Sequence, residues 1–93
     1  MIVMIKSAPD TQEAKRGITL AGDLVADVVL IQDAVNLVRL VQDVGIRVSV
    51  YALDEDLRMR GLGPNADIGA IRRIDYDMLV DLITKADKVH GVF

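Results

Sequence analysis

The 93-residue chain contains no cysteine and no tryptophan, a single histidine and two prolines. Without a thiol it can form no disulfide, supply no thiolate to a metal and hold no persulfide. His90 has no His or Cys companions, and a metal site needs several convergent ligands. Aromatic residues are nearly missing: Tyr51, Tyr76 and Phe93 make up 3% of the chain, so the core has to be aliphatic. An aliphatic, β-branched core favours a parallel sheet buried beneath helices. An excess of positive charge is lacking too, with eleven basic against fourteen acidic side chains and a net charge of −3. That balance leaves no electrostatic footprint for nucleic-acid phosphates. Arg72-Arg73 and the Lys85/Lys88 pair read as solvated faces, since no aromatics interleave with them as on a single-strand binding platform. No apolar run approaches the roughly 18 residues of a membrane span. The opening Met-Ile-Val-Met-Ile is too short for a signal h-region, and the expected compartment is the cytoplasm.

What the chain does have is 52% apolar residues. This places it among globular proteins, as a single domain over residues 1–93. A domain of this size has a thin stability margin, and association is one way to add apolar burial.

Hydrophobic periodicity separates five short aliphatic runs. The first, Ile2 to Ile5, ends at Lys6-Ser7-Ala8-Pro9. Asp10 with Glu13 then resembles a capping box, opening a one-sided helix to Val25 that Gly17 and Gly22 weaken. Asp27 marks a turn into Val28-Val29-Leu30-Ile31, a run of the kind buried on both faces. A second helix is expected from about Ala34 to Val44, stopped by Gly45. A third strand follows from Arg47 to Leu53, then a short acidic-headed helix from Asp54 through Arg60. After a Gly-rich loop come a fourth strand at about Ile71 to Ile74, a helix at Tyr76 to Ala86 capped by Asp75, and a last strand from Lys88 to Phe93. This order predicts the α/β class: a small, open, mostly parallel sheet of about five strands with helices on both faces. Periodicity leaves the strand order and the direction of the last strand open.

Ligands of open parallel sheets gather at the carboxyl ends of the strands, which directs attention to Lys6 to Asp10, Gln32-Asp33, Leu53 to Asp56 and Ile74 to Tyr76. Two readings compete for the aspartates there. They form an acidic edge for a divalent cation or a nucleotide, or Asp10, Asp33, Asp54 and Asp75 each cap or neutralise the helix that follows. The capping reading is preferred, because each aspartate directly precedes an apolar-periodic run. Gly61, Gly63 and Gly69 match no phosphate-binding fingerprint. Ser7 lacks a nucleophile-elbow context, and His90 reads as solvent-facing or satisfied. No catalytic residue, metal ligand or cofactor is expected.

Several strings taken in order resemble the TusB/DsrH family: Val29-Leu30-Ile31-Gln32-Asp33-Ala34-Val35, Val50-Tyr51-Ala52-Leu53-Asp54-Glu55-Asp56-Leu57, Arg60-Gly61-Leu62, and Ile74-Asp75-Tyr76 with Leu79-Val80-Asp81-Leu82. The resemblance runs from the Lys6-Ser7 turn to the C-terminal strand. It implies a DsrE-like fold and a place in a sulfur-relay assembly of small related subunits. There, cysteine-bearing sisters carry the persulfide toward tRNA wobble-uridine 2-thiolation or into sulfur oxidation. A chain without cysteine departs from any sulfur-carrying version, which implies a noncatalytic subunit. The runner-up from a different class is a small ligand- or metal-binding module using the acidic edge.

Two helices carry more apolar surface than a one-sided packing needs. Ala34, Val35, Leu37, Val38, Leu40, Val41 and Val44 span about 220° of a wheel, and the Met78 to Ala86 set spans about 200°. The surplus predicts a homo-oligomer, or a hetero-oligomer with sister subunits, through Leu37, Leu40, Val41, Leu79 and Ile83.

Overall fold

The β-branched runs Ile2-Val3 and Val28-Val29 have no charge to present to water, and they build the middle of the sheet. In the computed structural model, which describes residues 1–37, 49–63, 68 and 71–92, β1 (Ile2–Ile5), β2 (Asp27–Leu30), β3 (Val50–Leu53), β4 (Arg72–Ile74) and β5 (Val89–Val92) form one sheet. The order is β4-β3-β2-β1-β5, and every neighbouring pair is parallel, including β1 with β5. Helices α1 (Gln12–Leu24), α2 (Asp54–Met59) and α3 (Tyr76–Lys85) and a 3₁₀ segment (Gln32–Leu37) connect the strands. The second expected helix thus begins as 3₁₀, and its continuation to Val44 lies outside the described residues, as do Arg47 and Val48 of the expected third strand.

Handedness distributes the helices. Steps from β1 to β4 all run in one direction, so right-handed crossovers put α1, the 3₁₀ segment and α2 on one face. The return from β4 across the sheet to β5 puts α3 on the other. Two apolar clusters match this division. One joins Val3, Ile5, Val28 and Leu30 to Ala14 of α1 and Leu57 of α2, and the other joins Ile2, Val29, Leu53 and Ile74 to Leu79 of α3.

Local chemistry departs from expectation at the helix ends. Thr11, not Asp10, caps α1: its hydroxyl oxygen accepts from the Ala14 N–H at 3.3 Å and donates to the Ala8 carbonyl at 2.6 Å. The second bond closes the turn around Pro9 and fixes which of the two neighbours caps. Asp27 is the first residue of β2 rather than a turn, and its Oδ1 accepts from the Ser49 N–H ahead of β3.

At the other end of α1, Val25 is left-handed, with φ 52° and ψ 46°, while its N–H reaches back to the Ala21 and Gly22 carbonyls. A β-branched residue is strained there, and Val25 is 71% exposed, so its side chain gains little packing in return. Val25→Gly is therefore expected to raise stability by about 1 kcal/mol, read as an upward shift of the thermal midpoint. A lowered midpoint would show that the valine side chain contributes more than its exposure implies.

Candidate functional site

The carboxyl edge of the sheet holds the acidic residues. Loops diverge to opposite faces between β3, which leads into α2, and β4, which leads into α3, so the crevice of an open α/β sheet lies there. Asp54 opens α2 at this crevice, and Arg73 of β4 faces it: Arg73 Nη1 donates to Asp54 Oδ1 at 2.8 Å. The same guanidinium donates to the Leu62 and Gly63 carbonyls, with Nη2 reaching Gly63 at 2.7 Å. Arg58 holds the second oxygen of Asp54 at 2.8 Å. The Arg73 hydrogen bond, with Arg58 beside it, keeps the Asp54 carboxyl below its ordinary value, against a smaller opposing effect of desolvation. Arg73 is thus no solvated face: it ties the end of β4 to the start of α2 and to the segment after it.

A second cluster sits under the 3₁₀ segment. Asp56, the one buried charged residue among those described, is 8% exposed, and its Oδ2 accepts the Gln32 N–H at 2.7 Å. Gln32 itself is left-handed, with φ 50°. Arg60 lies over both: it donates through Nη2 to Asp33 Oδ1 at 2.9 Å and through Nη1 to the Asp56 carbonyl at 3.1 Å. Beyond these clusters, Tyr76 has its hydroxyl pKa raised, first by the negative charge of Glu55 and then by desolvation.

The aspartates therefore divide by role. Asp75 alone of the four caps as expected, accepting the Met78 N–H at 2.8 Å. Asp33 and Asp54 lie in the first turns of their helices, but their carboxylates are held by arginines. Asp10 precedes the true cap. Among the described residues no group of three or more His, Asp or Glu is placed to hold a metal. Chemically the edge is built from ion pairs, Asp54 with Arg58 and Arg73 and Asp33 with Arg60, that lock three loops together. His90 departs from expectation as well, since its Nε2 is buried with no hydrogen-bond partner among the described residues.

The expected interface residues scatter. Leu79 is 8% exposed and belongs to the sheet-facing cluster of α3, with Leu82 and Ala86 packed alongside. Leu79 is thus spent inside the domain, because it points down the same side of the helix as those two. Ile83 does lie at the surface, joined by Tyr76 at 54% and Val80 at 61% exposure. At the spacing 76, 80 and 83 these three form one stripe on α3. Val80 belongs to the apolar arc read from the sequence but not to the residues expected at the interface, Tyr76 belongs to neither, and burial along the helix separates both from Leu79. Leu37 ends the 3₁₀ segment, and Leu40 and Val41 lie outside the described residues.

Comparison with known proteins adds three findings. A family model described as DsrH-like protein matches residues 6–89. The YchN protein from E. coli has a similar structure, with a TM-score of 0.78 at 20% sequence identity over 97% of each chain, a likeness that establishes the fold. No curated protein matches the sequence significantly. No helix among the described residues is long and apolar enough to cross a membrane.

Proposed function

Because the chain belongs to the DsrH-like family of sulfur-relay proteins and contains no cysteine, we propose that it is a noncatalytic subunit supporting persulfide transfer by cysteine-bearing sister subunits. The observation that carries this reading is the family match over residues 6–89 in a chain that has no thiol. Only a thiol can accept a sulfane sulfur and pass it on, so the sulfur has to reside on a partner. The relay would run in the cytoplasm, toward tRNA wobble-uridine 2-thiolation or into sulfur oxidation. The role left to this chain is to bind sisters without touching RNA or membrane.

The surface offered for that contact is the outer side of α3, where Tyr76, Val80 and Ile83 stand out of the fold. Of the other residues expected at an interface, Leu40 and Val41 lie outside the described residues. The rival use of the acidic edge as a ligand site gains no support from carboxylates already matched to Arg58, Arg60 and Arg73.

Two measurements test the proposal together. Incubated with a cysteine desulfurase, cysteine and labelled sulfur, the chain should keep its intact mass, while a cysteine-bearing DsrE-like sister present in the same mixture gains sulfur. The sister should also be retained by the immobilised chain, and Val80→Asp with Ile83→Asp should weaken that retention by about tenfold or more without loss of helical signal. Stable incorporation of label into this chain, or no retention of any sister, would overturn the proposal.

A further inference from the structure

An open groove of about 650 Å³ runs along the outer flank of α1, lined by Lys15, Arg16, Thr19, Leu20 and Asp23 of the helix and by Val92 of β5. It borders the end of the sheet. β5 is the outermost strand and is paired on one side only, with β1. The Ile2 N–H donates to the Lys88 carbonyl. In a parallel ladder that commits Lys88, His90 and Val92 to β1 and turns the peptide groups of Val89 and Gly91 outward. Protein edges are usually blunted by a lysine, a proline or a bulge within the strand. Val89–Val92 has neither residue, and its register with β1 is unbroken.

The groove's charges point to what covers it. Lys15, Arg16 and Asp23 are exposed and make no ion pair among the described residues. They are sorted by sign along the helix, the basic pair about two turns, or roughly 10 Å, before the acid. Such a face is self-complementary when two copies meet antiparallel, and self-repelling when they meet parallel.

We propose that this face binds a second copy of the chain about a twofold axis, β5 pairing antiparallel with β5 and α1 lying antiparallel to α1 across the junction. An axis passing between Thr19 and Leu20 sets Arg16 of one copy against Asp23 of the other, twice, with Leu20 near the centre. α1 packs chiefly over β1, flanked by β5 on one side and β2 on the other, so it stands about one and a half strand spacings, roughly 7 Å, from an axis just beyond β5. The two helices are then about 14 Å apart on this strand spacing, a gap crossed by the long side chain of Arg16 toward Asp23 rather than by close helix packing. The outward groups of Val89 and Gly91 gain partners, and the two sheets become one. This contact does not rest on the proposed relay function. It uses the end of the sheet and the α1 face, leaving the outer side of α3 free for a different subunit.

Sedimentation of the full chain across the micromolar range tests it. A reversible dimer is expected, weakening as salt is added because exposed charges hold it. Arg16→Asp and Asp23→Arg should each weaken it by about tenfold or more, and the double exchange, which restores opposite charges across the axis, should recover most of the loss. Both positions lie on the outer face of α1, so circular dichroism should be unchanged. A chain that stays monomeric, a dimer indifferent to salt and to both single exchanges, or a double exchange no better than either single one would overturn the proposal. Failure to retain a sister subunit bears on the relay reading alone and leaves this contact standing.

Discussion

Replacing Asp56 by alanine is expected to lower the stability of the chain by about 2–4 kcal/mol. Asp56 is buried at the start of α2, yet the bond that matters most reaches 24 residues back, where its Oδ2 accepts the Gln32 N–H at 2.7 Å. Gln32 has to hold φ at 50° to aim that N–H inward, a conformation that costs a non-glycine residue about 1 kcal/mol or more. Alanine removes the acceptor and leaves the donor with its strained backbone and no compensation. Arg60 loses one of its two carboxylates, the other being Asp33. For a domain of this length each kcal/mol moves the thermal midpoint by about 4–8 °C, so a fall of some tens of degrees is within range. Asp56→Asn keeps an oxygen for Gln32 and should recover a large part of the loss, separating the hydrogen bond from the charge. A midpoint shift of only a degree or two for the alanine variant would mean that the turn after β2 is held by something else.

The same residues show what a sequence can and cannot disclose. The elements were legible wherever the signal is local. Asp75 ahead of an apolar-periodic run marks a cap, and the structure has it accepting the Met78 N–H. The run Asp54-Glu55-Asp56 marks a helix start, and α2 begins at Asp54. Thr11 and Asp10 are both good caps one residue apart, and the choice was made by the Thr11 bond to Ala8, a turn detail no propensity encodes. The edge clusters were not legible because their members are distant in sequence: Arg73 finds its partners 10, 11 and 19 residues away, and Arg60 reaches Asp33 across 27. The direction of β5 escaped for a similar reason. It is decided by α3 carrying the chain back across the whole sheet, and nothing within Val89–Val92 records that passage. On α3 the helical wheel counted every apolar residue alike, whereas packing on the sheet withdrew Leu79 and left Tyr76, Val80 and Ile83 outside.

Gly17 was legible only as a weak point of its helix, and the structure gives it the opposite meaning. It is a buried residue of α1 at the place where the helix crosses closest to β1, and a Cβ built there would lie 2.7 Å from Ile5 Cγ1 and 2.8 Å from Ile5 Cδ1. Both distances are far inside van der Waals contact. Ile5 cannot simply turn aside, since it is fully buried at the centre of the larger cluster, and Val92 stands 3.6 Å from the same point. Alanine at position 17 gains about 1 kcal/mol of helix propensity and sets it against overpacking of about 1–3 kcal/mol. Valine adds two methyl groups in the same space, so Gly17→Val is expected to destabilise by about 3 kcal/mol or more. Gly22, five residues on, is the internal control: nothing lies within 4 Å of its added Cβ, so Gly22→Ala should stabilise by about 0.5–1 kcal/mol through the same propensity. A double-mutant cycle places the effect on the contact itself. Ile5→Ala alone should cost about 2–5 kcal/mol as a cavity. Combined with Gly17→Ala, the loss should be clearly smaller than the sum, because each change relieves the other. Additive losses, or a valine variant as stable as the parent in urea melts, would show that α1 can lift from β1 and that this close approach is not what seats the helix on the sheet.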